Sequence, residues 1–126
     1  MSLKRFGTLD EELRKLEKFG SGIIGTAIVS RNGLLKWSRL PLDIDDLKFG
    51  VMSAALYSGI ETAIETLKKN NIYNITVEME NYQIVTLSIN EQLILVSLLD
   101  INCNFGLVLI ELEEFIKKIK PILGSE

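Results

Sequence analysis

Apolar positions along the chain switch repeatedly between a period near 3.6 and a period of 2, and the switches mark out its elements. Leu9, Leu13, Leu16 and Phe19 fall at helical spacing, so 9–19 is expected to form a short amphipathic helix, capped by Thr8 or Asp10 and stopped by Gly20 and Gly22. Ile23–Ser30 carries apolar residues on both parities, the pattern of a strand covered on both faces. Arg31-Asn32-Gly33 supplies the positive φ angles of a tight hairpin, and 34–38 returns as a second strand, with Trp37 either in the core or an exposed contact.

The stretch 44–70 is expected to be one long helix of about 39 Å. It presents two apolar surfaces. A broad one, with Phe49, Met52, Leu56, Ile60, Ala63, Ile64 and Leu67, suits a sheet. The other carries Leu47, Val51, Ala54, Ala55, Ser58 and Thr62, and its small side chains suit either close approach by a second helix or an ordinary solvated face.

After it, 74–80 alternates cleanly: Ile75, Val77 and Met79 face one way, and Thr76, Glu78 and Glu80 the other. A strand with one wet face belongs at a sheet edge. Glu80-Asn81 turns into a strand over 82–89, and the nearly unbroken apolar run 93–99 is expected to be central. Leu109, Leu112, Phe115, Ile116 and Ile119 make the stripe of a final helix over 107–123, which Pro121 terminates or kinks. The order is α-ββ-α-βββ-α. The fold expected is a single three-layer α/β/α domain over 1–126 with a five-stranded, mainly antiparallel sheet. Ile23–Ser30 and 93–99 lie in its middle, 34–38 and 74–80 at its edges, the long helix on one face and the terminal helices on the other.

Composition narrows the chemistry. With 126 residues, 47% hydrophobic and 25% charged, the chain suits one compact domain. A formal charge of −3 gives no electrostatic reason to expect nucleic acid or an anionic membrane. No apolar run is long enough to span a bilayer, and the charged N-terminus lacks a signal-peptide core, so a cytoplasmic protein is expected. There is no histidine and one cysteine, Cys103. The commonest general base, nucleophile partner and transition-metal ligand are therefore absent. No catalytic residue, cofactor or metal is expected.

Four features have plainer readings than the chemistry they suggest. Gly20-Ser21-Gly22-Ile23-Ile24-Gly25 matches G-x-G-x-x-G but enters a strand, the reverse of a dinucleotide site. Asp43, Asp45 and Asp46 are best read as helix cap and dipole partners. Glu61 and Glu65 read as solvated acids with lysine pairing, Glu65 to Lys69. Arg31 and Arg39 either reach a partner's phosphates or simply flank a strand.

The segment Gly25-Thr26-Ala27-Ile28-Val29-Ser30-Arg31-Asn32-Gly33-Leu34, the Ala-rich Met52-Ser53-Ala54-Ala55-Leu56, and Asp100 through Gly106-Leu107-Val108 together resemble the roadblock (dynein light chain) family, which includes MglB-like regulators and scaffolds of small GTPases. The resemblance covers about 23–123 and departs from the family pattern at Leu109, where many relatives carry a basic residue. It implies a non-enzymatic homodimer or roadblock-type heterodimer that pairs third strands, packs long helices and binds a small Ras-like GTPase. The expected interface is Val51, Ala54, Ala55, Ser58 and Thr62 on the helix, and Ile75, Thr76, Val77, Glu78 and Met79 on the strand. In such a dimer Thr76, Glu78 and Glu80 are expected to line the surface beside the long helices. The competing readings are a small-molecule-sensing α/β/α domain and a small enzyme using lysine or carboxylate chemistry.

Overall fold

The computed structural model describes residues 3–19, 22–68 and 71–123. Its elements in chain order are α1 (Leu3–Phe19), β1 (Ile23–Ser30), β2 (Leu35–Arg39), α2 (Asp46–Ala63), a single 3-10 turn (Glu65–Leu67), β3 (Ile75–Glu78), β4 (Tyr82–Ser88), β5 (Leu93–Asp100) and α3 (Phe105–Leu123). All pairings are antiparallel, in the order β2-β1-β5-β4-β3. The two strands apolar on both parities are central neighbours and the two shorter ones form the edges, as the patterning predicts.

Parity sorts the sheet residues into two cores. Ile28, Val85, Leu95 and Leu99 pack under α1 and α3 with Leu9, Leu13, Leu112, Phe115 and Ile119. Ala27, Val29, Ile94 and Val96 face α2, which contributes Ala54 and Tyr57 as its buried apolar side chains. Trp37 is buried in the larger core. Within that core Thr26 and Ser97 satisfy each other at 2.9 Å, and the Ser97 hydroxyl also donates to the Gly25 carbonyl at 3.1 Å. Gly25 has no room for a side chain, since a Cβ there would lie 2.8 Å from the Arg39 carbonyl oxygen.

Several expectations need correction. α2 has 18 residues, about 27 Å, because it breaks at Ile64 into the 3-10 turn and then at Lys68, whose φ is +40°. Asn70 and Lys69, with the Glu65–Lys69 pairing, lie outside the described residues, as do Gly20 and Ser21. α1 begins six residues earlier than its apolar stripe, and α3 two residues earlier than expected. α3 also continues through Pro121, which forfeits one helical bond but has only Ile122 and Leu123 of the helix after it to displace. The faces of α2 differ most. Gly50, Ala54 and Tyr57 turn to the sheet; of the residues assigned to that face, Phe49 packs half-buried against the core, while Met52 and Leu56 are exposed. Both flanks of the helix are apolar, so periodicity alone does not choose between them.

Candidate protein–protein interface

α2 does not lie over the middle of the sheet. It packs chiefly on β1 and β2, with Gly50 buried over Val29 and Leu35. The same face of β3 and β4 is left partly open. An apolar cleft of about 480 Å³ runs between them, walled by Phe49, Met52 and Leu56 from α2 and by Val77, Ile84 and Thr86 from the strands. Met52 is 61% exposed, Leu56 39% and Val77 38%.

The entrance to α2 is fixed by its acids. Asp45 caps the helix, accepting from the Lys48 amide at 3.1 Å, and Asp46 accepts from the Ser38 hydroxyl at 2.8 Å. Asp43 is exposed beside them at one end of the cleft. The cap reading of these residues holds for Asp45.

The second wall of the cleft is an edge. β3 pairs with β4 through Ile75↔Thr86, Thr76↔Val85, Val77↔Ile84 and Glu78↔Gln83, and its other side has no partner strand among the described residues. Ile75 and Ile84 pack with the α2-side core, so Ile75 and Val77 stand beside α2. Thr76 faces as Val85 does, toward the α1–α3 side, and Glu78 follows it. The expectation that Thr76 and Glu78 line the surface next to the long helix is therefore reversed, because strand parity, once Ile84 is known to face α2, leaves no choice. The opposite edge of the sheet is blunted. β2 is irregular against β1 between Ile28 and Val29, carries Lys36 at that point, and runs into Pro41.

The expected helix residues divide. Ala54 is buried against the sheet at 4% exposure and is not on an outer face. Val51 lies against the β1–β2 turn, its Cα 3.6 Å from where a Cβ on Gly33 would sit. Ser58, two turns on, shares that flank, with Ala55 and Thr62 nearer the crest; all three are exposed. Ile75 is half-buried, and Thr76, Val77, Glu78 and Met79 are exposed along the open edge.

A polar cluster that the sequence reading did not assemble holds the far end of α2. Arg31 follows β1 and pairs with Glu61 at 2.8 Å. It donates to the Ser88 hydroxyl at 3.0 Å and to the Asn90 carbonyl at 2.9 Å, and its guanidinium lies 4.8 Å from the Tyr57 ring centroid. Glu61 is thus held by arginine rather than by a lysine. Tyr57 and Glu61 are four residues apart on one face of α2, which was the available signal. Arg39 is likewise engaged, with Glu17 at 3.0 Å and Asp10 at 3.7 Å, tying β2 to α1. Leu109 packs half-buried against the larger core. Cys103 sits at the edge of the same core; burial, and then the neighbouring Asp100 carboxylate, push its thiol pKa up. No helix among the described residues is long and apolar enough to cross a membrane.

A five-stranded antiparallel sheet in this order, with one helix on one face and two on the other, is the fold shared by profilins and roadblock domains. The chain belongs to the Roadblock/LC7 domain family, whose model matches residues 9–98. The uncharacterized protein MJ1340 of Methanocaldococcus jannaschii is 30% identical over 114 residues, covering 90% of this chain and 98% of that protein. Among solved structures, Myxococcus xanthus MglB superposes with a TM-score of 0.84 at 17% identity, over 96% of this chain and 98% of that one. A Roadblock/LC7 domain from Streptomyces avermitilis superposes with a TM-score of 0.83 at 16% identity, over 90% and 96%.

Proposed function

We propose that this protein is a non-enzymatic interaction module of the cytoplasm that works as a dimer, with a second copy or another roadblock-type chain, and uses the joint surface to bind and regulate or scaffold a small Ras-like GTPase. The observation that carries the dimer is the off-centre seat of α2. It leaves Met52, Leu56 and Val77 exposed around an apolar cleft directly beside an unpaired, regular strand edge. A copy related by a two-fold axis perpendicular to the sheet brings its own α2 to the same face, so one operation covers both the edge and the cleft. The unblunted edge is the one beside the cleft. On this reading Ile75–Met79 form the strand part of the interface, Met52 and Leu56 the helix part, and the crest residues Ala55 and Thr62 flank the crossing of the two helices. Val51 and Ser58 remain outward, on the flank away from the two-fold axis. The GTPase as partner rests on family membership and on the MglB-like fold.

The test has two arms. Sedimentation at tens of micromolar, a range suited to weak association, is expected to give twice the monomer mass, and Met52→Glu to give the monomer mass by placing a charge in the covered cleft. A monomeric wild type removes the dimer. A purified Ras-like GTPase from the same organism, loaded with GTP or GDP and titrated by calorimetry, is expected to bind the wild type and to lose binding with Met52→Glu. No binding in either nucleotide state removes the regulator.

A further inference from the structure

The edge of β3 also dictates how a second copy meets it. The Met79 amide donates to the Tyr82 carbonyl at 2.8 Å. Along an antiparallel ladder hydrogen-bonded and non-bonded pairs alternate, so Met79, Val77 and Ile75 spend their backbone groups on β4. Those of Thr76 and Glu78 point the other way, to the open edge. A two-fold mate therefore meets Thr76 and Glu78 with its own Thr76 and Glu78. Any register offset by one residue sets an outward-pointing group against an inward-pointing one and forms no bonds.

Three registers then remain within the strand. Glu78 facing its own mate leaves only one bonded pair inside Ile75–Glu78 and also sets two carboxylates directly opposite, which is destabilising. Thr76 facing its own mate leaves only that pair to exchange hydrogen bonds inside Ile75–Glu78. Thr76 facing the partner's Glu78 gives two bonded pairs inside the strand and keeps the carboxylates apart. We propose that the second copy pairs in this third register, with Val77 facing its own mate on the two-fold axis, and that Glu78 is the residue that selects it. This inference rests on the dimer proposed above and specifies its geometry. Val77 and its mate then form a non-bonded pair with Cα atoms about 4.5 Å apart, on the α2 side of the sheet and next to Met52 and Leu56 of both copies. Ile75 meets the partner's Met79 beside them, so the apolar residues of the strand form one row under the two helices.

Disulfide trapping tests the register. In a Cys103→Ser background that leaves Glu78 in place, Val77→Cys and Thr76→Cys are oxidised separately with copper–phenanthroline and run on non-reducing gels. A facing Val77 pair lies within the Cα range of an unstrained disulfide. Val77→Cys is expected to shift to doubled mass, and Thr76→Cys to stay at monomer mass. Doubled mass with Thr76→Cys instead, or with neither, in protein that sediments as a dimer overturns the register while leaving the dimer standing. A Cys103→Ser parent that sediments as a monomer overturns the dimer and the register together. A second arm isolates Glu78 by adding Glu78→Gln to the Val77→Cys protein. With the facing carboxylates gone, the register that sets residue 78 against its mate is no longer penalised and draws population from the third. The Val77→Cys cross-link is then expected to form more slowly, by up to about twofold, the ceiling that one like-charge pair across two strands sets. An unchanged rate in a folded dimer overturns Glu78 as the selecting residue.

Discussion

Replacing Arg31 with alanine removes three kinds of interaction in one step. The guanidinium donates to the Ser88 hydroxyl and the Asn90 carbonyl, pairs with Glu61 and covers the Tyr57 ring. The two hydrogen bonds from a charged donor contribute about 1 kcal/mol each or somewhat more. The ring contact adds about 0.5–1 kcal/mol. The Glu61 pair adds less than about 1 kcal/mol, because the carboxylate side chain is 45% exposed and screened by water. Allowing for non-additivity within one cluster, the loss is expected to be about 2–3 kcal/mol. For a chain of this size that is roughly 8–12 °C in Tm. The assay is urea unfolding followed by circular dichroism. Arg31→Lys is expected to recover little, since one ammonium does not span Ser88, Asn90 and Glu61 together. Glu61→Gln is expected to cost under about 1 kcal/mol. A loss below about 0.5 kcal/mol for Arg31→Ala, an amount typical of an ordinary surface substitution, refutes the reasoning. So does a Glu61→Gln cost as large as that of Arg31→Ala, which would make the ion pair rather than the cluster the tether of the helix.

Three further outcomes follow from local geometry. Lys68→Gly should raise stability by up to about 1 kcal/mol in the same assay, because Lys68 holds a φ of +40° that glycine adopts without strain; no gain, or a loss, counts against strain at that site. Gly25→Ala should destabilise by more than about 2 kcal/mol, an overpacking cost, since its methyl would press on the Arg39 carbonyl and on Pro41; an unchanged urea midpoint overturns this. With its pKa raised first by burial and then by Asp100, Cys103 favours its neutral form in the folded state. Its contribution is therefore fully present below the pKa of an unfolded thiol and is lost as pH rises through the raised folded value. Stability should fall across that alkaline window more steeply in the wild type than in Cys103→Ser, and equal slopes would contradict it.

The order of the sheet was legible because parity carries it. Strands apolar on both faces, Ile23–Ser30 and Leu93–Asp100, had to be central, and the alternating Ile75–Glu78 had to be peripheral. The seat of α2 was not legible. Its fully buried contact with the sheet is made by Gly50, Ala54 and Tyr57, two small residues and one amphipathic one, with Phe49 half-buried beside them, whereas Met52 and Leu56 lie on the flank. A pattern that weights hydrophobicity sends Met52 and Leu56 inward, although the positions buried on the sheet are a glycine, an alanine and a tyrosine. The end of α2 was overrun for a related reason. Leu67 continues the helical spacing, but it belongs to a 3-10 turn and is exposed. The Arg31 cluster joins residues from three parts of the chain, so only its Tyr57–Glu61 half left a local trace. Which flank of α2 faces β3 depends on a lateral displacement across the sheet, a quantity that no periodicity records.

The two faces of the sheet are unequally secured. On one, α1 and α3 bury long aliphatic stripes; on the other, α2 rests on Ala54, Tyr57, a half-buried Phe49 and the Arg31 cluster. A helix so held is expected to open locally at a lower free energy than the whole molecule unfolds, and its amides to exchange with solvent ahead of those of β1 and β5. Anything that binds its exposed flank in the closed form only suppresses that opening by RT ln(1 + [L]/Kd). The exchange rate of one helix is then a gauge of occupancy, readable without a label on either molecule.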